Sequence, residues 1–377
     1  MKMQPIMKRL IAGAILFAPI LAWADTPNVS VYGQANVSYD ITNNGVVGAN
    51  KVSSNASRIG LKGAEEMGGG LSVVWQIESQ INLDGTAGGT QNTFATRNSY
   101  AGLSSESIGR LILGRHDTPY KLATRDMDQF SNDIADNRSL MVVTRNRPGT
   151  ASFNHDARTT NTVLYISPVR NGFKAAVAYI ANAEGVTAAT DKKGSAWSVA
   201  GIYGDAGMNA SLAYQTITAG TAGGAAAGVA AVAPNNVLAA GDKAAAWKIG
   251  AGYTMDAVKI NVVYEKTSTT AVAGNSDQRN IYLSGKYSFG NDAVKLAYTL
   301  AGKNTGAAAS DAKQLSMGYD HNLSKRTSVY ALYTQVRNGT AANYGLTGAN
   351  TTGAVSAVAG TTGLKPMAWS FGMRHSF

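Results

Sequence analysis

An all-β chain that closes into a transmembrane antiparallel β-barrel is predicted by three features of the sequence. Apolar and polar residues alternate with period two along nearly the whole chain, and a helical period is nowhere sustained beyond a turn or two. The connections between alternating segments are by turns short and long. Of 377 residues, 42 are Gly and 17 Tyr, none is Cys, and only 15% are charged, against about a quarter in a soluble globular protein. With a mean hydropathy of −0.10, the chain is not a bundle of apolar helices, which would need several runs of about 18 residues. Strands with one oily and one wet face satisfy all three features.

In the first segment, 28–40, Val29, Val31, Gly33, Ala35, Val37 and Tyr39 share one face, and Ser30, Gln34, Asn36 and Ser38 the other. Successive strand side chains point to opposite faces, so this strand is oily on one side only. A polar stretch, 41–55, separates it from a strand at 55–65. The strand at 71–82 sets Leu71, Val73, Trp75 and Ile77 against Ser72, Gln76 and Glu78. Strands at 96–104 and 108–115 precede a long, weakly periodic stretch, 116–157. Four more follow at 158–168, 172–181, 194–204 and 207–217. Beyond an Ala/Gly-rich stretch at 219–244 come 245–254, 256–267, 278–289, 292–303, 312–321 and 326–336. The second of these sets Val258, Ile260, Val262 and Tyr264 against Lys259, Asn261 and Glu265. The last, 366–377, sets Trp369, Phe371, Met373, His375 and Phe377 against Ser370, Gly372, Arg374 and Ser376.

About sixteen strands of about ten residues result, a length suited to a tilted crossing of a bilayer. The wet face repeatedly carries Lys, Gln, Asn and Ser, so the oily face must meet something other than water or a second sheet. Tight turns at 66–70, 204–207, 254–256, 290–292 and 322–325 join one end. Long polar stretches at 41–55, 82–96, 219–244 and 339–365 join the other. Short periplasmic turns and long extracellular loops are the pattern of outer-membrane barrels. A barrel closes only with all its strands, so residues 25–377 are expected to form a single domain.

Residues 1–24 read as a cleaved export signal: Lys2, Lys8 and Arg9 form a basic start, 10–20 is apolar, and Ala22-Trp23-Ala24 is a small-residue cleavage site ending at Ala24. Without the three basic residues of this segment, 30 basic face 23 acidic residues, and the formal net charge falls from +10 to +7. With no Cys, no disulfide can staple the exported chain, so its stability is expected from a large hydrogen-bonded sheet.

Several motifs then carry a resemblance. Residues 158–168 (RTTNTVLYISP) with Gly172-Phe173, and 319–327 (YDHNLSKRT) with Tyr330, resemble signatures of the Gram-negative general diffusion porins of the β-proteobacterial type. Val31-Tyr32-Gly33, 57–63 (SRIGLKG), Leu113-Gly114-Arg115 and 372–377 (GMRHSF) look like the same family, so the resemblance spans the whole exported chain. It implies a 16-stranded barrel in the outer membrane, surrounded by lipid and lipopolysaccharide and assembled as a homotrimer. It also implies a third loop folded into the lumen, and a terminal Phe, here Phe377, that the barrel-assembly machinery recognises.

Function is expected on the inner face. A barrel of this size leaves an aqueous channel, whose selectivity follows from charge at its narrowest point. Alternation turns Arg58, Lys62, Arg97, Arg110, Arg158, Lys174, Lys248, Lys259, Lys286, Lys295 and Arg374 inward, and chiefly Glu78 and Glu265 among the acids. This predicts passive diffusion of small hydrophilic solutes and ions with a modest anion preference. The stretch 116–157 is the candidate constriction loop, with Asp126, Asp128, Asp133 and Asp136 among Arg125, Arg138, Arg145 and Arg147. These acids are expected to face a basic wall of Arg58, Lys62, Arg97 and Arg115, the last only if its strand ends or bulges. A substrate-selective outer-membrane channel is the nearest alternative. A barrel hydrolase using Ser152, His155 and Asp156 is a weaker one, since no nucleophile, metal or phosphate motif is present. No enzyme activity, cofactor or metal is expected, and no nucleic acid, because the basic residues are spread over strand after strand.

Overall fold

The computed structural model describes residues 28–85, 94–141, 143–145, 152–182, 189, 192–220, 241–270, 275–305, 307–347 and 352–377. The export signal with Ala24, Arg147 and most of 219–244 lie outside the described residues, as do the side chains of Arg145 and Ser152. Strands β1 (Val29–Asn43), β2 (Gly48–Ser54), β3 (Arg58–Gly68), β4 (Leu71–Gln80), β5 (Ser99–Ser105) and β6 (Gly109–Asp117) lead into helix α1 (Pro119–Thr124). After a small hairpin of β7 (Val143–Arg145) and β8 (Ser152–Asn154) come β9 (Arg158–Ile166), β10 (Phe173–Asn182), β11 (Gly194–Gly204), β12 (Met208–Thr218) and β13 (Lys243–Met255). The chain ends with β14 (Val258–Thr270), β15 (Ser276–Phe289), β16 (Asp292–Ala301), β17 (Ala312–Asn322), β18 (Thr327–Asn338) and β19 (Met367–Ser376).

All but β7 and β8 join one antiparallel sheet in which each strand pairs with the next, β2 and β3 excepted, and β1 pairs with β19 to close it. β2 and β3 are two parts of one crossing, since β1 uses Val37–Asn43 against the first and Val29–Gln34 against the second. Counted that way the barrel has sixteen crossings. At the break, Ala56 takes a φ of 54°, and the Asn36 amide donates to the Ser57 hydroxyl (3.0 Å) instead of a ladder carbonyl. Closure is completed by Gly33 and Phe377, which exchange backbone hydrogen bonds of 2.9 and 3.1 Å. Gly33 is required there, because a Cβ would lie 2.3 Å from the Phe377 ring and 2.6 Å from the Arg58 carbonyl.

The stretch 41–55 differs from expectation: it is a hairpin rather than a long loop. Ile41 continues the exposed face of Tyr39, while Asp40 and Thr42 stay on the buried one. The strand therefore runs on to an Asn43-Asn44-Gly45 turn, in which the Asn44 side chain accepts from the amides of Val46 and Val47 (2.9 and 2.8 Å). The 339–365 stretch is also more folded than a polar loop. Leu346 and Val355 bridge and are buried, the Thr352 hydroxyl accepts from the Ser54 amide, and Lys51 donates to the Ala354 carbonyl.

Exposure is inverted relative to a water-soluble protein. Ile260 is 59% exposed and its neighbour Asn261 1%; the same contrast recurs around the barrel, with Leu, Val and Ile outward and Ser, Thr, Asn and Gln buried inward. That outer face suits hydrocarbon, where a closed ladder pairs the backbone groups between strands. Aromatic pairs mark both rims: Tyr179 with Trp197, Trp247 with Tyr264 and Tyr333 with Trp369 toward the long-loop end, and Phe173 with Tyr203 and Tyr287 with Phe289 near the short turns. Amphipathic rings settle at the headgroup level.

Candidate functional site

The segment between β6 and β9 does not stay outside the barrel. Thr118 caps α1 by accepting from the Lys121 amide, with Pro119 at the first helical position. Tyr120 is fully buried; its amide donates to the Ser198 hydroxyl (2.9 Å) and its own hydroxyl to Glu265 (2.7 Å). Farther on, the Ser284 hydroxyl donates to the Met127 carbonyl (3.1 Å), Tyr282 to Asp128 (2.8 Å) and the Gln314 amide to the Ala135 carbonyl (3.2 Å). Arg374 then holds Asp133 at 3.0 and 3.1 Å. These tethers come from β11, β14, β15, β17 and β19, so the loop lies along the inner wall. Phe130, Ile134, Leu140 and Met141 pack against inward Val263, Tyr282, Leu332 and Val336, which removes apolar surface from the aqueous lumen.

Two of the expected site acids serve the loop itself. Asp136 accepts from Arg125 and, at 3.0 Å, from Arg138, and it also takes the Asn132 amide (2.9 Å). Burial would raise this carboxyl, but the two guanidiniums outweigh it and hold it well below the usual range. Asp128, buried beside the Asp136 charge, is pushed up to about 6. Asp126 is exposed, and its backbone carbonyl accepts from Lys259 (3.3 Å). Asp133 reaches the barrel wall, where its partner is Arg374 rather than Arg58, Lys62 or Arg97.

The opposite wall gathers the basic residues. Arg58 (3.6 Å) and Arg97 both pair with Glu78, which also accepts from the Tyr32 hydroxyl (3.0 Å). Lys62 stands 5.2 Å from the Tyr32 ring centre. Arg158 pairs with Asp117 (3.1 Å) and donates to the Asn98 side chain (2.6 Å). Lys121 reaches the same Asp117 at 2.9 Å, and burial, only partly offset by that carboxylate, lowers its ammonium to about 8. Arg115 lies within electrostatic reach of Asp117 and Arg158, but the slip between Gly114 and His116 puts its extra residue on β9, and opposite Ser99 of β5 Arg115 keeps the phase of the exposed Leu111 and Leu113. The buried Nη1 of Arg97 and Nε of Arg115 have no hydrogen-bond acceptor among the described residues.

Alternation placed Arg58, Arg97, Arg158 and Glu78 on the inner face, but the part played by Glu78, Asp117, Tyr32 and Asn98 in holding the arginines was not read from the sequence. An acid on the inner face one strand from Arg58 was the available signal for Glu78; Asp117 lies just beyond a bulge and gave none. The imagined hydrolase set has a buried His155, whose ring burial and Lys248 lower to about 3, and an Asp156 held by Lys248 at 3.2 Å.

The model of a family described as "Gram-negative porin" matches residues 11–341. Outer membrane porin protein 32 of Delftia acidovorans is 29% identical, over 98% of this chain and 99% of its own. An outer membrane porin protein of Bordetella pertussis is 25% identical over 88% and 94%. Among solved structures, the anion-selective porin from Comamonas acidovorans superposes with a TM-score of 0.75 at 24% identity, covering 93% of this chain and 99% of that one. In-vitro folded OmpT of Vibrio cholerae gives 0.68 at 15% identity, covering 93% and 97%.

Proposed function

Because the chain belongs to the Gram-negative porin family and so forms an outer-membrane channel, we propose that it passes small hydrophilic solutes with a preference for anions, selected where Arg58, Arg97 and Arg158 converge, with Arg115 within electrostatic reach. The observation that carries this reading is a surplus of positive charge: Arg58 and Arg97 share the single carboxylate of Glu78, and Arg158 and Lys121 share that of Asp117. An anion crossing the constriction is drawn by that surplus in a low-dielectric tube, while a cation is opposed by it. Asp126, Asp128, Asp133 and Asp136 line or brace the loop that narrows the pore, and Lys62 extends the basic wall toward the short turns. The similar Comamonas acidovorans porin, described as anion-selective, supports the same sign.

The experiment is a reversal-potential measurement in a potassium chloride gradient across a planar bilayer. Anion selectivity is expected, and R97Q/R158Q should lower the chloride-to-potassium permeability ratio by about tenfold. Cation selectivity in the unaltered protein would refute the reading. The remaining expectations belong to the same proposal: a homotrimer giving conductance in triplets, an export signal cleaved after Ala24, lipopolysaccharide around the outer rim, and Phe377 as the mark read by the assembly machinery. No catalytic role is assigned to Ser152, His155 or Asp156.

A further inference from the structure

A second basic feature, outside the arginine cluster, lies on three consecutive strands. The register sets Lys259 of β14 against Lys286 of β15, and Lys286 against Lys295 of β16. Directly opposed residues share a face with Cβ atoms about 4.5–5.5 Å apart, so the three side chains form one row. Their neighbours Ile260, Tyr287, Val294 and Leu296 are exposed on the lipid side, which turns the lysines into the lumen. Like charges in register repel, and compensation along the row is uneven. Lys295 pairs with Asp320 (2.9 Å) and lies 4.9 Å from the Phe130 ring centre, whereas Lys259 donates only to the Asp126 carbonyl. Lys286 has no ion-pair partner among the described residues. Gly318, next in register after Lys295, leaves the space that Phe130 and Lys295 fill, for a Cβ there would lie 2.8 Å from Phe130 and 3.2 Å from Lys295.

The row is also displaced from the arginines. Arg58 opens β3, far from the glycine turn that ends it, while Lys259 is the second residue of β14 and Lys295 the fourth of β16, both just past short turns. In the order of the closed sheet, β14 to β16 stand five to seven crossings away from β3 and β9, which carry Arg58 and Arg158.

We propose that Lys259 and Lys286 form a binding site for a compact multivalent oxyanion of the phosphate type in the short-turn vestibule, apart from the arginine cluster, with Lys295, buried and committed to Asp320, closing the row. This rests on the reading of the chain as an anion-preferring channel. A chloride ion neutralises one ammonium at a time, whereas a tetrahedral divalent oxyanion offers oxygens to both neighbouring ammoniums at once. It thereby relieves the repulsion along the row as it binds.

The test uses the full exported protein in a planar bilayer, with its orientation fixed by K325C in the turn after β17, labelled by an impermeant thiol reagent. Inorganic phosphate in its divalent form is added to one side while the chloride current is recorded. Phosphate on the short-turn side should reduce the current at concentrations about tenfold lower than on the long-loop side. K259Q/K286Q should weaken that effect by about tenfold while the reversal potential keeps its anion sign, and K259R/K286R should restore it. R58Q/R97Q should shift the reversal potential and leave the phosphate effect in place. Absence of the effect, equal effect from both sides, or an unchanged effect in K259Q/K286Q would overturn the proposal. If the double variant does not fold, judged by its mobility on unheated gels, K259Q and K286Q are tested singly by the same criteria. A cation-selective wild-type channel that still binds phosphate from the short-turn side would refute the channel reading and uphold the row.

Discussion

Lys121 makes the charge at the constriction depend on pH. Its ammonium is lowered to about 8 by burial, so it is charged at neutral pH and loses its proton as pH rises through that value. Asp117 is then left to Arg158, and the net positive charge of the cluster falls. Anion selectivity should therefore decline between about pH 7 and 9, as followed by reversal potential, and K121R should abolish that decline. The stability effect has the opposite sense: the unfolded lysine binds its proton up to about 10.4, so between 8 and that value the native state binds fewer protons and stability rises with pH. At this scale the alternation made the inward direction of Arg58 and Arg97 legible. Arg115 was not, because it keeps the phase of the outward Leu111 and Leu113 in the β5 register and comes near Asp117 only at the end of its strand.

Among the elements, the loop that carries α1 is held to the far wall chiefly by polar tethers, of which Asp133 with Arg374 is the outermost. Replacing one partner of a buried ion pair leaves the other uncompensated, at a cost of about 3 kcal/mol, and only the loop's distal arm depends on this pair. D133N is expected to increase open-channel noise and the spread of conductance levels in single-channel records, while the melting of the barrel changes by only a few degrees. Strand positions were legible because each strand repeats its own pattern, and 258–267 shows this residue by residue. The 41–55 hairpin was missed where polar inward residues, Asp40 and Thr42, made a strand look like a loop. The path of 116–157 was illegible for a different reason: its anchors are hydroxyls and amides such as Tyr282 and Gln314, scattered over strands far away in sequence.

The whole barrel depends on its closing seam. Gly33 allows the Phe377 ring to lie against β1, and any side chain there would strike both that ring and the Arg58 carbonyl. G33V should lower the yield of the folded, heat-modifiable form on unheated gels by severalfold, since overpacking of this kind costs about 1–3 kcal/mol and here acts on the last pair to form. The sixteen crossings and the inverted exposure were legible from composition and alternation, because both follow from a lipid outside and water inside. The seam pairs Gln34 with Ser376, almost the full length of the chain apart. Until the last strand has arrived, β1 and its partner-to-be are open edges, able to add any passing strand. A chain with such long-range contacts folds slowly, so those open edges need protection from aggregation for the whole interval before closure.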